Sequence, residues 1–175
     1  MAKPRDAERL DQATLERVYV KIEKPMFNVV YRWLWNAGDA QEVTQEAFLR
    51  VWKARARVDV ATIEPLLYRT ALNLASNRRR ASRVRRWLGL EAADDAPGGA
   101  APDDALASAR SKARVRAAVD ALPERLREVL MLTEYSEMSY DEVAATLGIP
   151  AGTVGSRRSA ALGRLAEALG PMEAP

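Results

Sequence analysis

The chain is 175 residues long, carries 27 Lys and Arg against 24 Asp and Glu for a formal net charge of +3, and is 48% hydrophobic. That length suits one ordinary domain or two small ones, with enough apolar residues for a thin core in each. It has no cysteine and no histidine, which excludes disulfides, thiolate or imidazole metal sites, Ser-His-Asp catalysis and any zinc or redox sensing within the chain.

No apolar run approaches the roughly 18 residues of a membrane span, and the start, MAKPRDAERLDQ, lacks an apolar signal core. A cytoplasmic protein with no membrane insertion of its own is expected. Helical spacing recurs along the chain and no period-two strand pattern is sustained. A first helix is expected over roughly residues 6 to 23, ending before Pro25. A second covers about 26 to 37, with Phe27, Val30, Tyr31 and Leu34 at helical spacing and Gly38 closing it. Asp39 and Glu42 then form a capping-box pattern at the start of a third helix. Val43, Ala47, Phe48, Val51 and Trp52 are its apolar stripe, and Asp39, Glu42, Gln45, Glu46 and Arg50 its polar side. A loop near residues 55 to 62 leads into a fourth helix, whose first turn accommodates Pro65 because proline's missing N–H needs no partner there.

The small net charge hides a strong asymmetry. From Pro65 to Leu90 there is no acidic residue, while Arg69, Arg78, Arg79, Arg80, Arg83, Arg85 and Arg86 all fall there; Glu91, Asp94, Asp95, Asp103 and Asp104 follow with no basic residue among them. Such blocks suggest one surface that faces a polyanion and another that mimics one. Residues 89–104, GLEAADDAPGGAAPDD, are too poor in large apolar side chains to bury a core and read as a flexible acidic linker. The fold class expected is therefore all-α, with two small helical domains: residues 1–88, the linker 89–104, and residues 105–175.

In the second domain a helix is expected to Ala121 and another from Pro123, followed by SYDEVAATLGIPAGTVGSRRSAALGRLAEAL. Here Ser139 and Glu142 form a capping box, and Val143, Ala144 and Leu147 supply a buried face. Gly148 takes the positive φ of a tight turn, and Ile149 and Val154 plug the angle between two helices. Small residue, turn glycine and aliphatic plugs at these offsets make a helix-turn-helix. A plain αα-hairpin has the same outline, but Thr153, Ser156, Arg157 and Arg158 gather on the second helix with no acid before Glu167.

Two stretches carry a family resemblance. ALPERLREVLMLTEYSEMSYDEVAATLGIPAGTVGSRRSAAL resembles region 4 of the extracytoplasmic-function (ECF) sigma factors, small bacterial sigma factors of the sigma-70 family that keep only regions 2 and 4. Upstream, GDAQEVTQEAFLRVWKA resembles region 2.2, which docks on core polymerase, and LLYRTALNLASNRRR resembles the helix that engages the −10 element. The resemblance runs from residue 10 to 168 in the family's order. Departures are Gly155 where a basic residue is usual, Ala160 and Leu162 in place of later basics, and Asn77 where aspartate is common.

The resemblance implies a factor that binds core RNA polymerase through its β′ clamp helices and β flap and directs promoter-specific initiation. It assigns polymerase binding to Asp39, Glu42, Gln45, Glu46, Arg50 and Trp52, though a merely solvated face with i,i+4 pairs has the same pattern. It assigns the −10 element to Arg57, Asn73, Asn77, Arg78, Arg79 and Arg80, and puts a flipped base at the loop from Arg55 to Thr62. A helix so basic also holds duplex or single-strand phosphates indiscriminately. The −35 element falls to Thr153, Ser156, Arg157, Arg158 and Arg164. An anti-sigma partner is implied, and the acidic linker is expected either to space the domains or to enter the transcript path. No cofactor, metal or catalytic constellation is expected. The alternative is a stand-alone helix-turn-helix regulator.

Overall fold

The structure, a computed structural model, describes residues 10–89 and 103–170, with backbone alone for 103–107. The expected linker lies almost wholly outside the described residues. Seven α-helices are described: α1 (Gln12–Leu34), α2 (Ala37–Lys53), α3 (Ile63–Trp87), α4 (Asp103–Ala121), α5 (Glu124–Tyr135), α6 (Tyr140–Leu147) and α7 (Ala151–Leu169). Two short 3-10 turns, Arg55–Arg57 and Val60–Thr62, join α2 to α3.

The first two expected helices are one. α1 runs through Pro25, although an interior proline removes a hydrogen bond and costs about 3 kcal/mol. The stripe Ile22, Met26, Val29, Val30 and Trp33 crosses the proline and is buried along its length. Burying each such side chain stabilises by about 1.5–3 kcal/mol, so packing outweighs the break. The junction after α1 also differs from expectation. Trp35, not Gly38, ends the helix in the left-handed region at φ 56. Asn36, not Asp39, caps α2, its Oδ1 accepting from the Asp39 amide at 2.9 Å, and Gly38 sits inside the first turn.

In the first half α1, α2 and α3 pack pairwise; in the second, α5 and α6 pack against α7, with α4 along it. The halves also meet, α1 against α5 and α3 against α6, and the buried residues form one continuous core across both. Tyr68 of α3 is fully buried and its hydroxyl donates to the Ser136 carbonyl at 3.4 Å. Burial pushes that hydroxyl's pKa upward. Arg69 donates to the Thr146 carbonyl at 2.9 Å. Arg127 of α5 is buried at 4% exposure, with its guanidinium 5.0 Å from the Trp33 ring centre and Nη2 donating to the Leu122 carbonyl. A charge is tolerated there because ring, carbonyl and the Asp120 carboxylate at 3.8 Å replace part of its water.

Candidate nucleic-acid and polymerase interfaces

The helix-turn-helix forms as its sequence dictates. Ser139 Oγ accepts from the Glu142 amide at 3.3 Å while Glu142 Oε2 accepts from the Ser139 amide at 2.7 Å, closing the capping box. These bonds hold the Glu142 carboxyl below its usual range. Gly148 ends α6 at φ 66, and the Ile149 amide bonds the Ala144 carbonyl. Val143 and Val154 are fully buried and Ala144 nearly so, while Ile149 is partly buried against them. α7 is thus fixed at its first turn.

The polar face of α7 is partly engaged. Ser156 is exposed, its hydroxyl donating to the Thr153 carbonyl at 3.1 Å; Thr153 and Arg157 are half-buried and Arg164 is exposed. Arg158 pairs with Glu134 of α5 at 2.8 Å, and this bond raises its pKa. Glu128, with Arg69 and Arg157 near it, has its carboxyl pushed up by burial and by Glu124 against the pull of those two arginines. A Cβ at Gly155 would stand 3.6 Å from the Tyr140 ring, so a side chain there has ordinary room.

α3 divides its basic residues by face. Asn73 and Asn77 are exposed one turn apart, and Asn77 Oδ1 accepts from Arg80 at 2.8 Å. Arg78 turns instead to α2, with Nε 2.9 Å from Asp39 and Nη2 2.6 Å from Glu42. Arg79 turns to the second half, donating to the Asp120 carbonyl at 2.9 Å with the carboxylate 3.6 Å away. Burial lowers the Arg79 pKa, with Asp120 opposing and Arg83 adding to the shift. Arg57 is exposed on the first 3-10 turn. The expected −10 residues therefore do not share one surface in this arrangement.

On α2, Gln45 is exposed and Glu46 pairs with Arg50 at 2.7 Å, which lowers the Glu46 pKa. Trp52 is half-buried under the Arg55 guanidinium at 4.5 Å. Leu49 is the residue that the sequence reading passed over. It is 50% exposed and lines a shallow groove with Glu42, Gln45, Glu46, Leu74 and Arg78. The signal was an aliphatic residue three and four positions after Glu46 and Gln45, on the polar side of the helix. Charge rimming an exposed leucine is the anatomy of a protein-docking patch. Among the described residues no group of three or more carboxylates is placed to hold a metal ion, and no helix is long and apolar enough to cross a membrane.

Two family models match the chain, Sigma-70 region 2 over residues 18–85 and Sigma-70 region 4 over residues 112–165. The RNA polymerase sigma-H factor of Pseudomonas aeruginosa is 31% identical, over 94% of this chain and 91% of its own length. The ECF RNA polymerase sigma-E factor of Escherichia coli K12 is 32% identical over 84% of this chain and 82% of its own. ECF RNA polymerase sigma factor SigE of Mycolicibacterium smegmatis is 34% identical over 75% of this chain, which spans about half (52%) of that relative. In fold the chain is similar to CnrH, solved with the cytosolic domain of CnrY (TM-score 0.65, 24% identity, 91% of this chain and 89% of that one). It is also similar to RpoE of Bartonella quintana, solved with the anti-sigma factor NepR (TM-score 0.61, 20% identity, 88% and 95%). A match in regions 2 and 4 together is not that of a stand-alone helix-turn-helix regulator, and the chain belongs to the ECF sigma factors of the sigma-70 family, the subunits that direct promoter-specific initiation by bacterial RNA polymerase.

Proposed function

We propose that this sigma factor docks on core polymerase through the α2 face formed by Asp39, Glu42, Gln45, Glu46, Arg50 and Trp52, with Leu49 as its apolar centre. It reads the −10 element with α3 and the preceding turns (Arg57, Asn73, Asn77, Arg78, Arg79, Arg80) and the −35 element with α7 (Thr153, Ser156, Arg157, Arg158, Arg164). The observation that carries this reading is the exposed leucine set among charges on α2, apart from the helix that bears the hydroxyls and arginines of the helix-turn-helix. The family's role is non-catalytic, and these residues bind and orient rather than react.

Two promoter elements 25 base pairs apart are separated by roughly 80 Å of duplex, at about 34–36 Å per turn. Helices α3 and α6 in contact do not reach both, so the halves separate on polymerase. We accordingly treat residues 1–88 and 105–175 as two functional units joined by 89–104. The fifteen steps from Leu88 to Asp103 would span roughly 50 Å fully extended. The packed arrangement is the form that an anti-sigma partner would hold, as the names of the two solved neighbours' complexes suggest.

Run-off transcription with core polymerase and a promoter library tests the reading. Asp39→Arg with Glu46→Arg should abolish core binding while free DNA binding persists. Arg157→Ala should keep core binding and lose discrimination at the upstream element. Loss of the same activity by both variants would show that the surfaces are not separate.

A further inference from the structure

The seam between the halves holds a cavity of about 330 Å³ whose walls come from both, within the size range of small-ligand sites. At 100° per residue, Arg79, Arg83 and Arg86 fall within a wedge of about 60° on α3. That wedge and Arg78 form one wall, Arg116 and Asp120 of α4 the other, and Trp33 and Trp35 line the end of α1. The lining includes five arginines and two aspartates, and both aspartates are already committed: Asp39 to Arg78 at 2.9 Å and Asp120 to Arg79 at 3.6 Å. Among the described residues Arg83, Arg86 and Arg116 have no carboxylate partner; Arg116 stands 5.9 Å from the Trp35 ring centre.

A second observation is independent of charge. Trp33 is 1% exposed, and among the described residues its indole N–H has no acceptor; the Trp35 N–H likewise has none. Buried donors are rarely left so; both residues line the cationic cavity, and both nitrogens are covered by protein in this arrangement, so a small adjustment of the indoles would turn them to an anion. Trp35 is also held at φ 56, a conformation that costs a non-glycine residue energy.

We propose that this cavity binds a linear multi-phosphate anion that bridges α3 and α4. Guanidinium forks grip phosphate oxygens bidentately. Arginines on opposite walls that have no carboxylate partner among the described residues fit negative charge spread along a chain better than a single tetrahedral anion, which touches one wall. A DNA duplex is too wide for the cavity while α4 closes it. Inorganic tripolyphosphate and the phosphate tail of a nucleotide share the required chemistry. Bound there, either one ties the halves together and keeps Arg79 from DNA, so that ligand and promoter oppose each other by linkage. The site goes beyond promoter reading and is testable without it.

The test is titration of the free full-length chain, followed by calorimetry, with inorganic tripolyphosphate, pyrophosphate and orthophosphate at constant ionic strength. Tripolyphosphate should bind at least tenfold more tightly than orthophosphate. Arg86→Ala and Arg116→Ala should each weaken it about tenfold, while Arg125→Ala, on the exposed surface of α5, should not. ATP and GTP identify the source: equal affinity assigns recognition to the phosphate chain, tighter binding to a whole nucleotide. Loss from Arg86→Ala with none from Arg116→Ala would overturn the proposal, since the anion would then lie on α3 alone. So would equal losses from Arg116→Ala and Arg125→Ala, which would mark diffuse surface attraction. Circular dichroism of each variant separates lost binding from lost fold.

Discussion

The helices α3 and α7 are mounted differently. α3 buries Ile63, Leu67, Tyr68, Ala71, Leu72, Ala75 and Ser76, and the rest of it, from Asn77 to Trp87, has no buried residue. It is anchored for half its length and projects a cationic end. α7 has Val154 and Ala161 as its buried residues and owes its position to the capped helix and glycine turn before it. Their charge differs too, with seven arginines on α3 and three on α7. The positive charge that would attract DNA is thus concentrated on α3, whereas α7 depends on local backbone geometry.

The largest expected effect tests that division. Replacing Arg78, Arg79 and Arg80 by alanine should lower the holoenzyme's salt slope for promoter binding by about 2–3 units, equivalent to about a hundredfold in affinity at 0.15 M salt. Arg157→Ala should cost about tenfold, confined to the upstream element, and change the slope by no more than about one unit. Filter binding across a salt series measures both. A steeper loss from Arg157 would put the electrostatic weight on α7 and break the comparison.

Glycines sharpen it at the next level. Gly148→Ala places a Cβ at φ 66, with Arg69 Nη1 3.8 Å away, so the cost is conformational, about 1–2 kcal/mol. Gly38→Ala lies in the first turn of α2, where the new Cβ meets the Asn36 cap oxygen at 3.4 Å. Improved helix propensity offsets that contact, and the change should be nearly neutral. Thermal melts should show a loss of several degrees for Gly148→Ala and almost none for Gly38→Ala.

The contrast also explains which parts of the molecule were legible in sequence. The capping box, glycine turn and plugs of the helix-turn-helix act within sixteen residues, from Ser139 to Val154, and each was read correctly. The break at Pro25 was misread because the deciding interaction, burial of Met26, Val29, Val30 and Trp33 against distant helices, is not local. The start of α2 was placed at Asp39, whereas the left-handed turn at Trp35 ends α1 early enough for Asn36 to be the cap. On α3 the sequence displayed the arginines but not their partners: Asp39 and Asp120 lie 39 and 41 residues away from Arg78 and Arg79. The seam is likewise invisible to periodicity, since Tyr68 reads the same whether its hydroxyl meets water or Ser136.

The smallest expected effect concerns acid. Glu142 has its pKa lowered from 4.5 by hydrogen bonds from Ser139, so its folded value lies below its unfolded one. Its contribution is therefore fully present above 4.5 and is lost as pH falls through the lowered folded value. The carboxylate is exposed and the contribution small, whereas Ser139→Ala removes the whole cap and should cost about 1 kcal/mol at pH 7. In the first half the N-cap Asn36 accepts from the Asp39 amide with no reciprocal carboxylate bond to its own amide, so that cap has no titrating member. Acidification should therefore loosen the start of α6 while leaving that of α2 unchanged. Hydrogen exchange at the Glu142 and Asp39 amides, each bonded to its cap oxygen, measures the two in one experiment. Protection at Glu142 should fall on acidification after correction for intrinsic exchange, and protection at Asp39 should hold. Equal losses at both would mean that acid acts on the packed molecule as a whole, and the dependence of α7 on the capped helix before it would be the weaker half of the comparison.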